Sequence, residues 1–224
     1  MTGVQAATDS MQLVVNGGGS SAVKLFLLLT ALSFASAILV SITSFTRIVI
    51  VLSFLRQALG TPQLPPNQVL IGLALALSAF VMARPAKAVY EDALAPYLDN
   101  RIGHAEALEK AAGPLRSFML KQTRERDLQL FFEISQTAAP AKAEDVPLTV
   151  AVPAFMISEL TTAFRMGLCL YVPLLLIDLL VSAILMSLGM MMVPPTLVSL
   201  PLKLGVFLLA DGWHQVVASL ARSF

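Results

Sequence analysis

Charge is scarce in this chain. Only 13% of its 224 residues are Asp, Glu, Lys or Arg, against about 25% in an ordinary soluble domain. Hydrophobic residues make up 57%, and the mean hydropathy is +0.79. Such a composition excludes a disordered segment and argues against an ordinary water-soluble enzyme. Net charge of either sign is lacking too. The formal value is +1, so nothing marks a nucleic-acid footprint or another polyanionic partner. Cysteine occurs once, as Cys169, which excludes an internal disulfide. Histidine occurs twice, as His104 and His214, and a zinc site would need other ligands. The class that remains is integral or membrane-assembled. The length suits one domain or two small ones.

The few charges are unevenly placed. Nine bases and ten acids fall within residues 84–147, and only ten charged residues lie elsewhere. The plan is therefore apolar, polar, apolar. A flexible tail covers 1–24, a first apolar helical hairpin 25–83, a polar helical insert 84–147 and a second apolar hairpin 148–224. No residue from 25 to 46 is charged. Twenty-two helical residues reach about 33 Å, enough for a hydrocarbon core of about 30 Å. Lys24, the leucine run and Ala35-Ser-Ala37 imitate a secretory leader, but the apolar run continues past Ala37 and reads as a span. The second block, residues 69–83, is only about 22 Å long as a helix. Pro65-Pro66 separates these two blocks, and Pro194-Pro195 separates the later pair. Proline is tolerated in a first helical turn, where no intrahelical amide bond is lost. Apolar helix, Pro-Pro turn, apolar helix thus occurs twice, a weak internal repeat. Arg47 and Arg56 flank the first turn and Lys203 follows the second. The positive-inside rule then puts both turns in the cytoplasm and the insert on the periplasmic side.

Five charges interrupt the second apolar region: Glu159, Arg165, Asp178, Lys203 and Asp211. Each would cost about 2.5–3.5 kcal/mol at a bilayer centre. Folding the chain at Pro194-Pro195 sets Asp178 level with Asp211. It leaves Lys203 about 12 Å from Asp178 along the axis. Glu159 and Arg165 are six apart, not at i,i+4. An ideal hairpin therefore leaves these charges unpaired within a subunit. They pair across subunits or with a partner, face water in a pore, or form a proton relay. Inter-subunit pairing is favoured, since no second carboxylate or histidine stands at helical spacing for a relay.

Met186-Ser-Leu-Gly-Met190-Met191-Met192-Val-Pro-Pro195 is the most unusual stretch. Methionine is a flexible core filler, and scattered methionines would be read that way. Three in a row cover every side of a helix end, and here they precede a Pro-Pro break. That favours a loop presenting soft apolar side chains at a constriction. In the insert, Gly113-Pro114 is expected to open a helix running to about residue 134. Its charge run, Lys121-Gln-Thr-Arg-Glu-Arg-Asp127, reads as a solvated face. Phe118 and Phe131 serve either the core or a subunit contact. No catalytic triad, phosphate loop or metal-ligand cluster is recognisable, so neither catalysis nor a cofactor is expected.

Several motifs together carry a resemblance. They are Ser44-Phe-Thr-Arg-Ile48, Arg56-Gln-Ala-Leu-Gly-Thr-Pro-Gln-Leu-Pro-Pro-Asn-Gln68, Phe118-Met-Leu-Lys-Gln-Thr-Arg124, Ser158-Glu-Leu160, Gly189-Met-Met-Met-Val-Pro-Pro195 and Asp211-Gly-Trp213. Over residues 25–224 the chain resembles the FliP family of flagellar type III export gates. The injectisome equivalents are near relatives. The resemblance implies an all-α subunit that assembles in several copies, typically five, with the companions FliQ and FliR. Other export-apparatus components and the basal-body ring would be neighbours. It implies a central pore for unfolded export substrates in a multi-pass protein of the bacterial inner membrane and flagellar basal body. It also implies bent hairpins held largely above the bilayer plane. Met190, Met191 and Met192 would be the pore gasket. Glu159, Asp178 and Lys203 would serve packing between subunits. Thr161 stands where relatives commonly have lysine and Arg165 where an uncharged residue is usual, which leaves the partner of Glu159 open. Two other readings compete. One is a secondary transporter of two inverted hairpins using Asp178 and Asp211. The other is a purely structural scaffold.

Overall fold

The computed structural model describes residues 23, 25–27, 29–30, 33, 38, 40–61, 63–138, 140, 142–190 and 192–224. The tail expected over 1–24, save Val23, lies outside the described residues, as does Met191. The chain divides into two units, residues 1–40 and 41–224. The described residues from 23 to 38 are helical. Within that unit the Thr30 and Ser33 hydroxyls donate to the carbonyls one turn back, at 2.8 and 2.9 Å.

Every regular element described in the second unit is helical. Helix α1 (Phe45–Ala58) begins where the uncharged run ends. Arg47 is therefore a helix residue three turns from the hairpin turn, whereas Arg56 lies in the last turn of α1 and its Nη1 donates across to Asn67 Oδ1. The buried positions Ile48, Val51, Leu52, Leu55 and Ala58 recur at three and four, one apolar stripe. Helix α2 (Asn67–Val81) folds back against it, and the Ser44 hydroxyl donates to that of Ser78 at 3.0 Å.

The insert follows. It comprises α3 (Ala83–Val89), a π turn (Tyr90–Leu94), α4 (Ala95–Leu98), α5 (His104–Gln122) and α6 (Glu125–Ser135). The expected helix start at Gly113-Pro114 is wrong, because Pro114 lies inside α5. The break comes at Thr123 and Arg124, which are both extended. Thr123 turns its hydroxyl back to the Met119 carbonyl at 2.7 Å, satisfying an end-of-helix acceptor.

Helix α7 (Leu148–Ser187) has 40 residues, or about 60 Å. It is the one described helix long and apolar enough to cross a bilayer alone. Helix α8 (Pro195–Leu209) and α9 (Gly212–Arg222) form a pair bent by 63° at Ala210-Asp211. Residues 67–81 and 83–98 form another, bent by 59°, so up to three spans result if each bent pair counts as one. The second break is fixed by packing. Asp211 is left-handed at φ 50°, and Phe207 meets Trp213 edge-on at 5.5 Å.

Helix directions follow from contacts. Arg47 meets Glu159 and Phe54 meets Gly167, so α1 and α7 run parallel. Asp178 meets Lys203, and Ser223 meets Arg47, so α8 and α9 return antiparallel. The turns of both hairpins then lie at one end, and the insert packs at the other. The main core gathers α1, α2, α7, α8 and α9 around Leu52, Leu55, Ala74, Ala163 and Leu220.

Candidate functional site

The methionine loop hangs from a tightly terminated helix. Gly189 takes φ 74°, which costs a residue without Cβ little. The Met190 amide bonds the Leu185 carbonyl at 3.0 Å and the Gly189 amide bonds that of Met186 at 3.1 Å. This is a Schellman closure. Pro195 then opens α8 from its first position. Residues 188–194 are left between two firm ends, with Met190 half-exposed and Met192 96% exposed. Both lie on the short loop that joins α7 to α8.

Eight helical residues beyond the loop, Lys203 reaches back to α7. Its Nζ donates to Asp178 Oδ2 at 2.5 Å and to the Ala58 carbonyl at 3.0 Å. The expectation that these two charges stay unpaired in a subunit is therefore overturned. A hairpin pivots about the middle of its loop, not about its prolines. The 178–203 pair centres the fold between Met190 and Met191, four residues before the assumed hinge. Lys203 also serves an orphan carbonyl at the negative end of α1.

Glu159 is likewise paired within the chain, with a residue that hairpin arithmetic could not reach. Arg47 Nε donates to Glu159 Oε2 at 2.8 Å, and Arg47 Nη2 to Oε1. Both side chains are almost wholly buried. Arg47 Nη1 donates to the Ser223 carbonyl and hydroxyl at 2.8 and 3.0 Å, and Nη2 to Gln122 Oε1 at 3.3 Å. Its guanidinium lies 3.9 Å from the centre of the Phe224 ring. All five N–H donors are thus used, as a buried arginine requires.

The preceding residue, Ser158, joins α7 to the insert. Its hydroxyl donates to Asp127 Oδ2 at 2.6 Å and accepts the Arg124 amide at 3.0 Å. Arg124 Nε donates to the same carboxylate at 2.8 Å. Burial would raise the Asp127 carboxyl. The Ser158 hydrogen bond and the Arg124 bond and charge outweigh it and hold the group below its ordinary value. The expected solvated face over 121–127 is therefore half wrong. Asp127 is buried, whereas Lys121, Glu125 and Arg126 are exposed.

Comparison with known proteins comes down to one family. The FliP family profile matches residues 28–220. This chain belongs to the FliP family. It is 52% identical over 205 residues to "Flagellar biosynthetic protein FliP" of Bacillus subtilis, covering 92% of this chain and 93% of the relative. The protein of the same name from Pectobacterium carotovorum is 51% identical over 215 residues, covering 95% and 83%. That of Aquifex aeolicus is 45% identical over 213 residues, covering 94% and 89%.

The remaining expected site residues scatter in this FliP-family chain. Phe118 and Phe131 are half-buried in internal clusters. Phe118 meets Phe155 at 6.0 Å and stacks on Phe224 at 6.4 Å. Asp211 is exposed, with His214 Nδ1 3.8 Å away. Arg165 is exposed and has no ion-pair partner among the described residues. Sequence reasoning missed Arg47, Gln122, Asp127 and Phe224. The available signal was polarity against pattern: Arg47 and Ser158-Glu159 are polar residues deep in apolar runs. Among the described residues no cluster of three or more His, Cys, Asp or Glu could hold a metal.

Proposed function

We propose that this chain is a subunit of the flagellar protein export gate. Copies of it, typically five, assemble with FliQ and FliR into a channel for unfolded flagellar proteins in the inner membrane and basal body. The observation that carries the reading is the methionine loop. Two described methionines stand exposed at the turn shared by two apolar helices, on a chain half identical to flagellar biosynthetic proteins. In a ring of copies, Met190, Met191 and Met192 close on one another and yield to a passing chain. Driving force belongs to other components, and the subunit performs no catalysis of its own. Glu159, Asp178 and Lys203 set the shape that neighbours pack against. Arg165 and Asp211, which lack a buried partner, face neighbouring chains. Phe118 and Phe131 support the insert against the next copy.

The test is ionic leak. Cells or liposomes carrying a complex with Met190, Met191 and Met192 all changed to alanine should pass small ions more readily while export persists. A triple variant no leakier than wild type would falsify the gasket. The transporter alternative is not favoured, because the Asp178 carboxylate is already held by Lys203 and is not free for a coupling ion.

A further inference from the structure

The second hairpin outreaches the first. Arg47 meets Glu159 across 112 residues, and Phe54 meets Gly167 at nearly the same offset. That register sets Ala58, the last residue of α1, level with about residue 170 of α7. Helix α7 continues to Ser187, about 25 Å further. Helix α8 runs back beside it, so a two-helix finger projects past α1 with the methionine loop at its tip. Packing thins at the same level. Upstream, α7 buries Val150, Ala154, Ser158, Ala163 and Gly167 in turn, whereas downstream it buries Leu174, Val181 and Leu185. In the finger Leu180, Ile184, Leu197 and Leu208 are each more than half exposed.

Both strands of the finger are interrupted at its base. Pro173 lies inside α7 and is exposed. It has no N–H to give the Cys169 carbonyl, and its ring crowds the preceding turn, so the helix bends most easily there. Pro153 has the same defect, but Ala151 and Ala154 beside it are wholly buried and hold that turn in place. On the returning strand, the Asp178–Lys203 register sets Pro173 level with Leu208. That is one residue before α8 ends, at the 63° break where Asp211 takes φ 50°. The two interruptions therefore face each other. Leu174, Ile177, Leu204 and Phe207 join the finger's base to the main core. Lys203 adds a polar tie: Asp178 holds its Nζ from within the finger, and that Nζ donates to the Ala58 carbonyl at 3.0 Å.

We propose that residues 174–209 swing as one rigid finger about a two-strand hinge at Pro173 and Asp211, with Lys203 as the latch to α1. A single break would let one helix bend against an unbroken neighbour, and the neighbour would resist. Two breaks at one level let both helices bend together while the seam between them stays closed. From Pro173 to Ser187 the finger measures about 21 Å, so a turn of about 20° moves its tip by about 7 Å. Such a movement carries the methionine loop toward or away from those of other copies. That use as a gate rests on the export-gate reading, whereas the hinge itself does not.

Distances between paired spin labels test it. The chain has a single cysteine, so Cys169→Ala gives a clean background for the full chain in detergent, diluted with unlabelled chain. One pair, Gln57→Cys with Ser187→Cys, spans the hinge from the exposed end of α1 to the finger tip. A second pair, Val206→Cys with Ser187→Cys, lies within the finger. Double electron–electron resonance should give the spanning pair a spread of about 7 Å and the internal pair a narrow peak. Pro173→Ala restores the missing N–H and should narrow the spanning distribution about twofold. Lys203→Met should broaden it, and Pro173→Ala combined with Lys203→Met should stay narrow. A spanning distribution equally wide with and without Pro173 overturns the hinge. An internal pair as broad as the spanning pair also overturns it, because the finger would then be loose rather than rigid. Broadening by Lys203→Met that persists in the Pro173→Ala chain places the pivot elsewhere and overturns it too. Spin distances report the hinge and ionic leak reports the gasket, so the two readings fail separately.

Discussion

A buried arginine with all its donors engaged is hard to replace. Arg47→Ala strands the Glu159 carboxylate in the core, and we expect a loss of about 3–5 kcal/mol. Thermal unfolding in detergent would read it. Arg47→Met combined with Glu159→Leu should recover part of that loss, because well-packed apolar side chains can replace a buried pair. Arg47→Lys should not rescue, since an ammonium cannot fork to Glu159, Ser223 and Gln122 together. Asp127 makes a pH prediction with a definite sign. Its folded pKa lies below the ordinary 3.8. Its contribution is fully present above that value and fades as pH falls through the lower folded value. Resistance of the insert to an acid-active protease should hold at pH 5 and decline below about pH 4. Asp127→Asn should be weaker throughout and lose this share of the acid dependence.

At the scale of elements, the α1–α7 contact depends on one small residue. A Cβ at Gly167 would stand 2.6 Å from the Phe54 ring and 3.0 Å from Phe54 Cβ. The near side of a side chain cannot swing aside as its tip can. Gly167→Ala should therefore cost about 1–3 kcal/mol through overpacking. Phe54→Leu in the same chain should return some of it, although it forfeits the edge-on contact with Phe164 at 5.2 Å. Gly212→Ala should also destabilise. Its added Cβ would stand 2.2 Å from the ring of buried Phe207, which can turn away only by giving up its edge-on contact with Trp213. The same unfolding assay would read it.

For the whole molecule, three distant segments converge on Arg47: α5 through Gln122, α7 through Glu159, and residues 223–224. Gln122 Nε2 in turn donates to the Phe224 carbonyl at 2.8 Å. Phe224 therefore ties the insert to the apolar hairpins. Phe224→Ala should raise the rate of limited proteolysis within the insert while leaving the hairpins resistant. If both regions become equally sensitive, residues 223–224 hold the whole fold rather than this joint.

Hydropathy and charge placement determined the all-helical, apolar class and the uneven placement of charge along the chain. These are local properties, written as runs and breaks along the chain, and Pro195 and Gly189 mark the loop ends by their own backbone limits. Charge pairing was different. Lys203 meets Asp178 only because a seven-residue loop shifts the hairpin register by four positions. Arg47 meets Glu159 across 112 residues because two separate hairpins pack in parallel. The helix break at Thr123 is held by bonds to Met119 and, next door, Ser158. Each depends on which helices touch and at what level. Periodicity cannot state that, and only the packed tertiary structure decided it.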